Sequence, residues 1–166
     1  MKCLCNYLLL VVLVFTVNGC KEQKMEVGKP APDIAAKDAQ GNIVHLDDYQ
    51  GKPVLLEFLS KTCGACLISI PKFNRLQAQN EDRLVVLTVA TDLQESELAD
   101  FAKTNKINYL LVADQLGITK ERYQIMGYPT LMYLNREHIL ESIEQGVTTN
   151  PNWAKKVTRW VDDQYL

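Results

Sequence analysis

The stretch VLLEFLSKTCGACLISIP, residues Val54–Pro71, decides the fold of this chain. Its first six residues are apolar except for Glu57, and such a short run directly after Gly-Lys-Pro predicts a buried strand rather than a helix. Apolar residues then recur every three positions, as on one face of a helix: Leu67, Ile70, Phe73 and Leu76. Cys63 and Cys66 fall in the first turn of that helix. The sequence therefore predicts a strand, a tight connection and a helix that begins with two thiols.

The position of the two cysteines favours redox chemistry. Unpaired backbone N–H groups and the helix dipole stabilise an anion at a helix N-terminus. We therefore expect Cys63, the more exposed thiol by position, to ionise more easily than a free cysteine. Cys66 follows three residues later, so its side chain returns beside Cys63, where it can close a disulfide or attack a mixed disulfide.

Three further features keep fixed offsets from the cysteine pair. Glu57 stands six residues before Cys63, Pro71 stands five residues after Cys66, and Gly-Tyr-Pro-Thr at 127–130 precedes another apolar run. The thioredoxin superfamily has the same offsets, for a buried acidic residue, a helix-kinking proline and a cis-proline loop that faces the disulfide. In these features the chain resembles a TlpA/ResA-like thiol–disulfide oxidoreductase of that superfamily.

The resemblance implies roles for the residues around the pair. Cys63 is expected to be the nucleophile and Cys66 the resolving thiol, with Glu57 accepting the proton of Cys66. Pro129 is expected to be cis and to present the backbone of Tyr128 to an extended substrate segment. The alternative for Glu57 is a position at a sheet edge from which the carboxylate reaches solvent.

Two residues depart from the pattern of the superfamily. Thr62 stands where most members have Trp, and Ala65 replaces the proline of Cys-Gly-Pro-Cys. Both changes lie beside the reactive sulfur and leave the redox potential and the partner preference open. We expect Thr62 to line the substrate contact with Tyr128 and Pro129, and loop packing alone is the alternative for Tyr128.

The composition indicates one globular domain. The chain has 166 residues, of which 47% are apolar and 23% charged, as is typical of a domain with a substantial core. The formal net charge of −2 gives no electrostatic reason to expect binding to nucleic acid. We also expect no cofactor, because the cysteine pair itself carries the proposed chemistry.

Residues 1–19 resemble the signal peptide of a bacterial lipoprotein. A positively charged start and an apolar run precede Gly19-Cys20. The resemblance implies cleavage before Cys20 and lipidation of that cysteine, whereas an ordinary secretory signal and an uncleaved anchor are the alternatives. We expect residues 20–29 to form a tether and residues 30–166 to form the thioredoxin-like domain.

The rest of the domain alternates strands with helices. The predicted strands are 84–90, 109–112, 131–134 and 139–143, and the predicted helices are 92–105, 119–124 and a last helix with Asn150 as N-cap and Pro151 at its first position. A turn at 38–42 between short apolar pieces adds an N-terminal β-hairpin extension, similar to segments of TlpA/ResA-like thioredoxins and peroxiredoxins. The order of elements predicts a thioredoxin-like α/β sandwich with a central mixed sheet.

Other functions compete with dithiol exchange. A structural disulfide is one, and a zinc site is another, although zinc needs two more ligands and the mature chain offers only His45 and His138. A peroxiredoxin shares the Ala-Pro-Asp opening, but its reactive loop has proline seven residues before the cysteine, where this chain has Leu56. A copper-binding module of the Sco type uses C-x-x-x-C, which is one residue longer.

The favoured function is that of a membrane-tethered thiol–disulfide oxidoreductase of the cell envelope, with its domain facing the periplasm or the cell exterior. We expect it to reduce disulfides of exported proteins by exchange through the Cys-Gly-Ala-Cys centre. The expected partners are those oxidised proteins, a membrane electron donor of thiol type, and the membrane itself through lipidated Cys20.

Overall fold

A computed structural model describes residues 25–166, so the expected signal peptide and Cys20 lie outside the described residues. The strands are β1 (Ala36–Lys37), β2 (Ile43–Val44), β3 (Val54–Leu59), β4 (Val85–Ala90), β5 (Leu110–Ala113), β6 (Thr130–Leu134) and β7 (Leu140–Gln145). These strands form one mixed sheet of seven strands in the order β2-β1-β5-β4-β3-β6-β7. The predicted central mixed sheet is therefore present.

The strand that precedes the cysteines occupies the middle of the sheet. All six residues of β3 are buried, and the strand pairs in parallel with β4 and antiparallel with β6. Glu57 lies in register with Thr88 on one side and Leu131 on the other. Because ordered strands flank Glu57 on both sides, the alternative of a sheet-edge position for this residue is excluded.

Alternate residues of β3 face two different cores. Leu56 and Phe58 belong to the core that the N-terminal extension covers, whereas Leu55 and Leu59 face the helical side of the sheet. Successive side chains of a strand point to opposite faces. Glu57 lies on the same face of the strand as Leu55 and Leu59. Its side chain is therefore directed toward the helix that carries the cysteines.

Four α-helices surround the sheet: α1 (Gly64–Gln79), α2 (Leu98–Asn105), α3 (Ile118–Arg122) and α4 (Trp153–Asp163). Helices α1 and α4 pack together on one face, where Phe73 contacts Trp153 with 5.6 Å between ring centroids. This contact fixes the inner face of α1 against the sheet and α4. Within residues 25–166, no helix has the length and apolar character that crossing a membrane requires.

The N-terminal extension forms the predicted hairpin. Strand β1 pairs antiparallel with β2 and also with β5, which joins the hairpin to the main sheet. Asp38 closes the turn, because its Oδ1 accepts hydrogen bonds from the backbone N–H groups of Gln40 and Asn42, each over 2.9 Å. An aspartate that binds nearby backbone donors is a typical turn-former.

The chain enters the domain at the end of the sheet that lies away from the cysteines. The backbone N–H of Gly28 donates to the carbonyl of Leu140 over 2.7 Å. Leu140 pairs with Leu134, which in turn pairs with Val54, the first residue of β3. The cysteines instead follow Leu59, the last residue of β3.

The prediction of one helix over 92–105 is wrong in its first part. A short 3₁₀ turn, Glu95–Glu97, precedes α2. The backbone N–H of Gln94 donates to the Glu97 carboxylate over 2.8 Å, and this bond stabilises the tighter turn.

The last helix starts two residues later than predicted. It begins at Trp153 and not at Pro151. The side-chain oxygen of Asn150 accepts a hydrogen bond from the backbone N–H of Asn152 over 2.9 Å. Asn150 thus stabilises a turn ahead of the helix, because a short polar side chain competes for local backbone donors.

Candidate active site

Cys63 lies at the N-terminus of α1. It is the N-cap residue, with extended backbone angles of φ −85° and ψ 95°, and its side chain is partly exposed. The backbone N–H of Cys66 donates to Cys63 Sγ over 3.2 Å. This donor and the helix dipole stabilise negative charge on the sulfur once the disulfide is reduced.

Cys66 lies one turn further along and is joined to Cys63 by a disulfide, with 5.3 Å between the two Cα atoms. Its side chain is fully buried among apolar residues that include Leu59, Ile70 and Ala90. An incoming disulfide therefore has access to Cys63 and not to Cys66. Apolar burial disfavours the thiolate of Cys66, so this thiol needs an acceptor for its proton.

Glu57 supplies a buried carboxyl group on the same side of the sheet. It is 1% exposed, and its Oε2 accepts a hydrogen bond from the Thr88 hydroxyl over 2.9 Å. Among the described residues, Oε1 has no hydrogen-bond partner. Burial raises the pKa of Glu57 to about 8, and the bond from Thr88 opposes that rise only in part. Glu57 therefore changes its protonation close to neutral pH.

Tyr109 is a second ionisable group in the electrostatic neighbourhood of Glu57. Its ring packs edge-on against Phe73 with 5.9 Å between centroids. Burial, and to a smaller degree the charge of Glu57, raise the pKa of Tyr109. Tyr109 therefore stays neutral when Glu57 titrates and does not compete with it as a proton acceptor.

Asp92 holds the connection between β3 and α1. Its Oδ1 accepts a hydrogen bond from the backbone N–H of Lys61 over 2.8 Å, and its Oδ2 accepts one from the Ser60 hydroxyl over 2.6 Å. The Ser60 hydroxyl is also hydrogen-bonded to the Thr62 hydroxyl at 2.9 Å. A carboxylate at the end of β4 thus fixes the loop that carries the nucleophile, and Thr62 is exposed on that loop.

The loop before β6 packs beside the disulfide. The peptide bond between Tyr128 and Pro129 is cis, as the resemblance implies. Tyr128 is partly buried against the cluster that contains both cysteines. Its hydroxyl is hydrogen-bonded to the Thr91 hydroxyl, and the ammonium group of Lys120 lies 5.7 Å from its ring centroid. The tyrosine therefore has one neighbour at its hydroxyl and another over a face of its ring.

The two histidines considered as zinc ligands have other contacts. His45 Nδ1 lies 2.8 Å from a carboxylate oxygen of Asp33, and His138 is buried in the turn between β6 and β7. No group of three or more His, Cys, Asp or Glu residues in the described part of the chain is arranged to hold a metal ion.

The structure gathers the predicted site residues into two adjoining groups. Cys63, Cys66 and Tyr128 share one packed cluster, while Glu57 and Pro129 border one crevice. Thr62 precedes Cys63 on the loop, and the predicted lipidation site Cys20 lies outside the described residues.

Sequence reasoning missed the contribution of β4. Thr88 is a polar residue inside the apolar run of this strand, and Asp92 follows the strand after one further residue. Thr88 stands next to β3 in the sheet, Asp92 lies just beyond the end of β4, and both are hydrogen-bonded to groups of the site. A lone hydroxyl in a buried strand beside a buried acid is a signal that could have identified Thr88, because buried polar groups are hydrogen-bonded.

Comparison with known proteins places the chain among redox proteins. Residues 27–143 match the AhpC/TSA family. The chain is 30% identical over 140 residues to the thioredoxin-like protein YneN of Bacillus subtilis (strain 168), with 82% of each chain covered. It is 29% identical over 143 residues to the thiol-disulfide oxidoreductase ResA of Bacillus thuringiensis subsp. konkukian (strain 97-27), with 83% of this chain and 82% of the relative covered.

The three-dimensional comparison supports the same grouping. The crystal structure of a thiol:disulfide interchange protein DsbE from Chlorobium tepidum superposes with a TM-score of 0.74 at 25% sequence identity. The match covers 85% of this chain and 99% of that protein. It confirms the predicted thioredoxin-like α/β fold.

Proposed function

This chain belongs to the AhpC/TSA family and is a thiol–disulfide oxidoreductase, and from that premise we propose that it reduces disulfides of exported proteins. The observation that carries the proposal is the contrast between the two sulfurs. Cys63 is partly exposed at a helix N-terminus, and Cys66 is buried behind it beside a carboxyl-bearing strand. One sulfur is thus accessible for attack and the other is protected for resolution.

The proposed exchange proceeds in two steps. The Cys63 thiolate attacks one sulfur of the substrate disulfide, a mixed disulfide forms, and the other substrate sulfur leaves as a thiolate that takes up a proton. Cys66 then loses its proton and attacks Cys63 Sγ, which forms the Cys63–Cys66 disulfide and releases the second substrate sulfur. Two electrons pass from the protein to the substrate. Glu57 accepts the proton of Cys66 in its carboxylate form.

The loop that contains Tyr128 and Pro129 is proposed to bind the substrate chain beside Cys63. The support is its packing against the cysteine cluster and the exposure of Thr62 on the neighbouring loop. An extended segment that pairs with the backbone of Tyr128 would gain main-chain hydrogen bonds independent of its sequence. Such a surface suits an enzyme that acts on several oxidised proteins of different sequence.

The cellular setting is proposed from the sequence. Residues 1–19 are proposed to direct export and Cys20 to carry lipid. The part of residues 20–29 that precedes the bond from Gly28 to Leu140 is proposed to tether the domain to the membrane. The domain then faces the periplasm or the cell exterior, where oxidised exported proteins are its substrates and a thiol-type electron donor of the membrane restores the dithiol. Mass spectrometry of the membrane-extracted protein tests this setting, because a chain that starts at unmodified Met1 would contradict it.

A reductase assay tests the proposed activity. We expect the reduced protein to cleave about one disulfide of an oxidised protein per Cys63–Cys66 pair, and Cys63→Ser to cleave none. A Cys63–Cys66 potential near about −270 mV agrees with a reductant, whereas a value near about −120 mV marks an oxidant. A dithiol that consumes peroxide much faster than it cleaves disulfides would indicate the peroxidase function instead.

A further inference from the structure

A narrow crevice leads from Glu57 to the surface between α1 and the sheet. Its lining residues come from α1, the β6–β7 hairpin and the segment that leads to α4: Glu57, Ser69, Lys72, Phe73, Pro129, Leu131, Glu144, Gly146, Thr148 and Trp153. Glu57 is 1% exposed and Ser69 is 7% exposed, whereas Gly146 is exposed and Lys72 and Thr148 are partly exposed. The crevice therefore has a buried end at Glu57 and an open end at Gly146.

The crevice has room for about one water molecule. The volume open to the centres of water molecules is ≈ 20 Å³, and one water needs roughly 10–15 Å³ by this measure. A buried water also needs polar partners. Ser69 and Glu57 both belong to this lining. Among the described residues, Glu57 Oε1 has no hydrogen-bond partner, and the Thr88 bond occupies only Oε2.

Within residues 25–166, the charged groups at the crevice leave Glu57 without a direct ion pair. The Lys72 ammonium group donates to the carbonyl of Thr148 over 3.5 Å. Glu144 is bound by the Lys156 ammonium group and by the indole N–H of Trp153. Among the described residues, the ionisable group that interacts with Glu57 is Tyr109, which stays neutral.

We propose that this crevice binds water against Glu57 Oε1 and is the route by which the carboxyl proton exchanges with solvent. The inference rests on the proposed role of Glu57 as acceptor for Cys66. The proton taken from Cys66 Sγ passes from Glu57 to crevice water, and that water gives a proton to a base in solution. No electrons move in this step. Neither cysteine is among the described residues that line the crevice, so the proton leaves by a path separate from the reacting sulfurs.

Hydrogen–deuterium exchange of the Glu57 carboxyl group tests the route in the oxidised protein, where no thiol turnover occurs. At pH 6 this group is protonated, because its pKa is about 8. Its carbonyl stretch is identified by infrared difference against Glu57→Gln, and the rate of its deuterium shift is followed after dilution into heavy water. The result is thus independent of whether the protein reduces disulfides.

The variants change the crevice at both ends. Ser69→Val replaces the inner hydroxyl by two methyl groups and Lys72→Leu removes the ammonium group near the opening. We expect at least one of them to slow the exchange by about tenfold or more, because exchange then requires local opening of the fold. Lys155→Met removes a lysine outside the crevice, so this control should exchange as fast as the unchanged protein.

Each outcome bears on the route. Equal exchange rates in the unchanged protein and in every folded crevice variant would overturn it, as would a Glu57 proton that exchanges only as slowly as the most protected backbone amides. A slowed exchange in a protein that fails the reductase assay would support the route and contradict the proposed function.

Discussion

The hydroxyl of Thr88 donates to only one oxygen of Glu57, namely Oε2, over 2.9 Å. Burial raises the pKa of this carboxyl group and the bond from Thr88 lowers it by a smaller amount. Thr88, which is paired with Glu57 across β3 and β4, therefore adjusts the pH at which the Glu57 carboxyl group can accept a proton. That adjustment leads to measurable consequences for stability and for catalysis.

The oxidised protein should lose stability as pH rises from about 5 to 9. Glu57 titrates at about 8 in the folded chain, against a reference value of 4.5, so the folded state binds more protons than the unfolded state in this interval. The free energy of unfolding therefore falls as pH rises. Each pKa unit corresponds to about 1.36 kcal/mol, so the loss is on the order of 3–5 kcal/mol. Urea unfolding at several pH values measures it.

Glu57→Gln is the matched variant for that measurement. It keeps the size of the side chain and removes the ionisable group, so it should flatten the decline between pH 5 and 9. At pH 9 the variant should be more stable than the unchanged protein, because the buried charge is gone. The same slope in both proteins would show that Glu57 is not the group responsible.

Thr88→Val should raise the pKa of Glu57 further. The substitution removes the hydrogen bond at Oε2 and keeps a β-branched side chain in the strand. Loss of a donor to the carboxylate favours the protonated form. Infrared titration of the carboxyl group from pH 6 to 10 would show the midpoint, and a midpoint at or below that of the unchanged protein would rule out the stabilising role of Thr88.

Glu57→Gln should slow release of the mixed disulfide while leaving attack by Cys63 almost unchanged. Cys63 owes its reactivity to the N-terminus of α1, whereas Cys66 depends on a proton acceptor. In the unchanged protein the release rate should rise as pH increases through about 8, where Glu57 becomes a carboxylate. Stopped-flow kinetics separates the two steps. Slower attack by Cys63 with normal release of the mixed disulfide would show that Glu57 acts on Cys63 and not on Cys66.

Cys66→Ser should accumulate mixed disulfides through Cys63, and Cys63→Ser should accumulate none. The reason is access, because Cys66 is fully buried and Cys63 is partly exposed. Trapped species can be separated by non-reducing electrophoresis and the linked residue identified by mass spectrometry. Similar amounts of adduct on both variants would contradict the conclusion that burial keeps Cys66 from reacting with the substrate.

Asp92→Ala should destabilise the fold by about 1–3 kcal/mol, because it removes two hydrogen bonds to a carboxylate. It should also lower the pKa of the Cys63 thiol, because a negative charge behind the loop disappears. The pH dependence of Cys63 alkylation in the Cys66→Ser background measures the second effect. Asp92→Asn, which retains an acceptor oxygen, serves as the control for charge alone.

The sequence predicts most of this site because its signals are local. The offset of Glu57 from the cysteine pair, the apolar run around β3 and the Gly-Tyr-Pro-Thr motif at 127–130 each lie in one short stretch of the chain. The bond that Thr88 donates and the bonds that Asp92 accepts are different, since they depend on the pairing of β3 with β4, whose residues are about thirty positions away. The register of two strands decides such contacts, and single-strand periodicity carries no information on that register.

The entry point of the chain at Gly28 would also give the domain an orientation if Cys20 carries lipid as proposed. Gly28 binds Leu140 at one end of the sheet and Cys63 follows the other end, and the six residues of β3 between these ends span about 20 Å. A lipid on Cys20, as proposed, would attach the domain to the membrane by the end of the sheet at which Gly28 enters. The reactive sulfur would then point outward from the bilayer, so an electron donor embedded in the membrane must extend a soluble thiol-bearing part at least to that height.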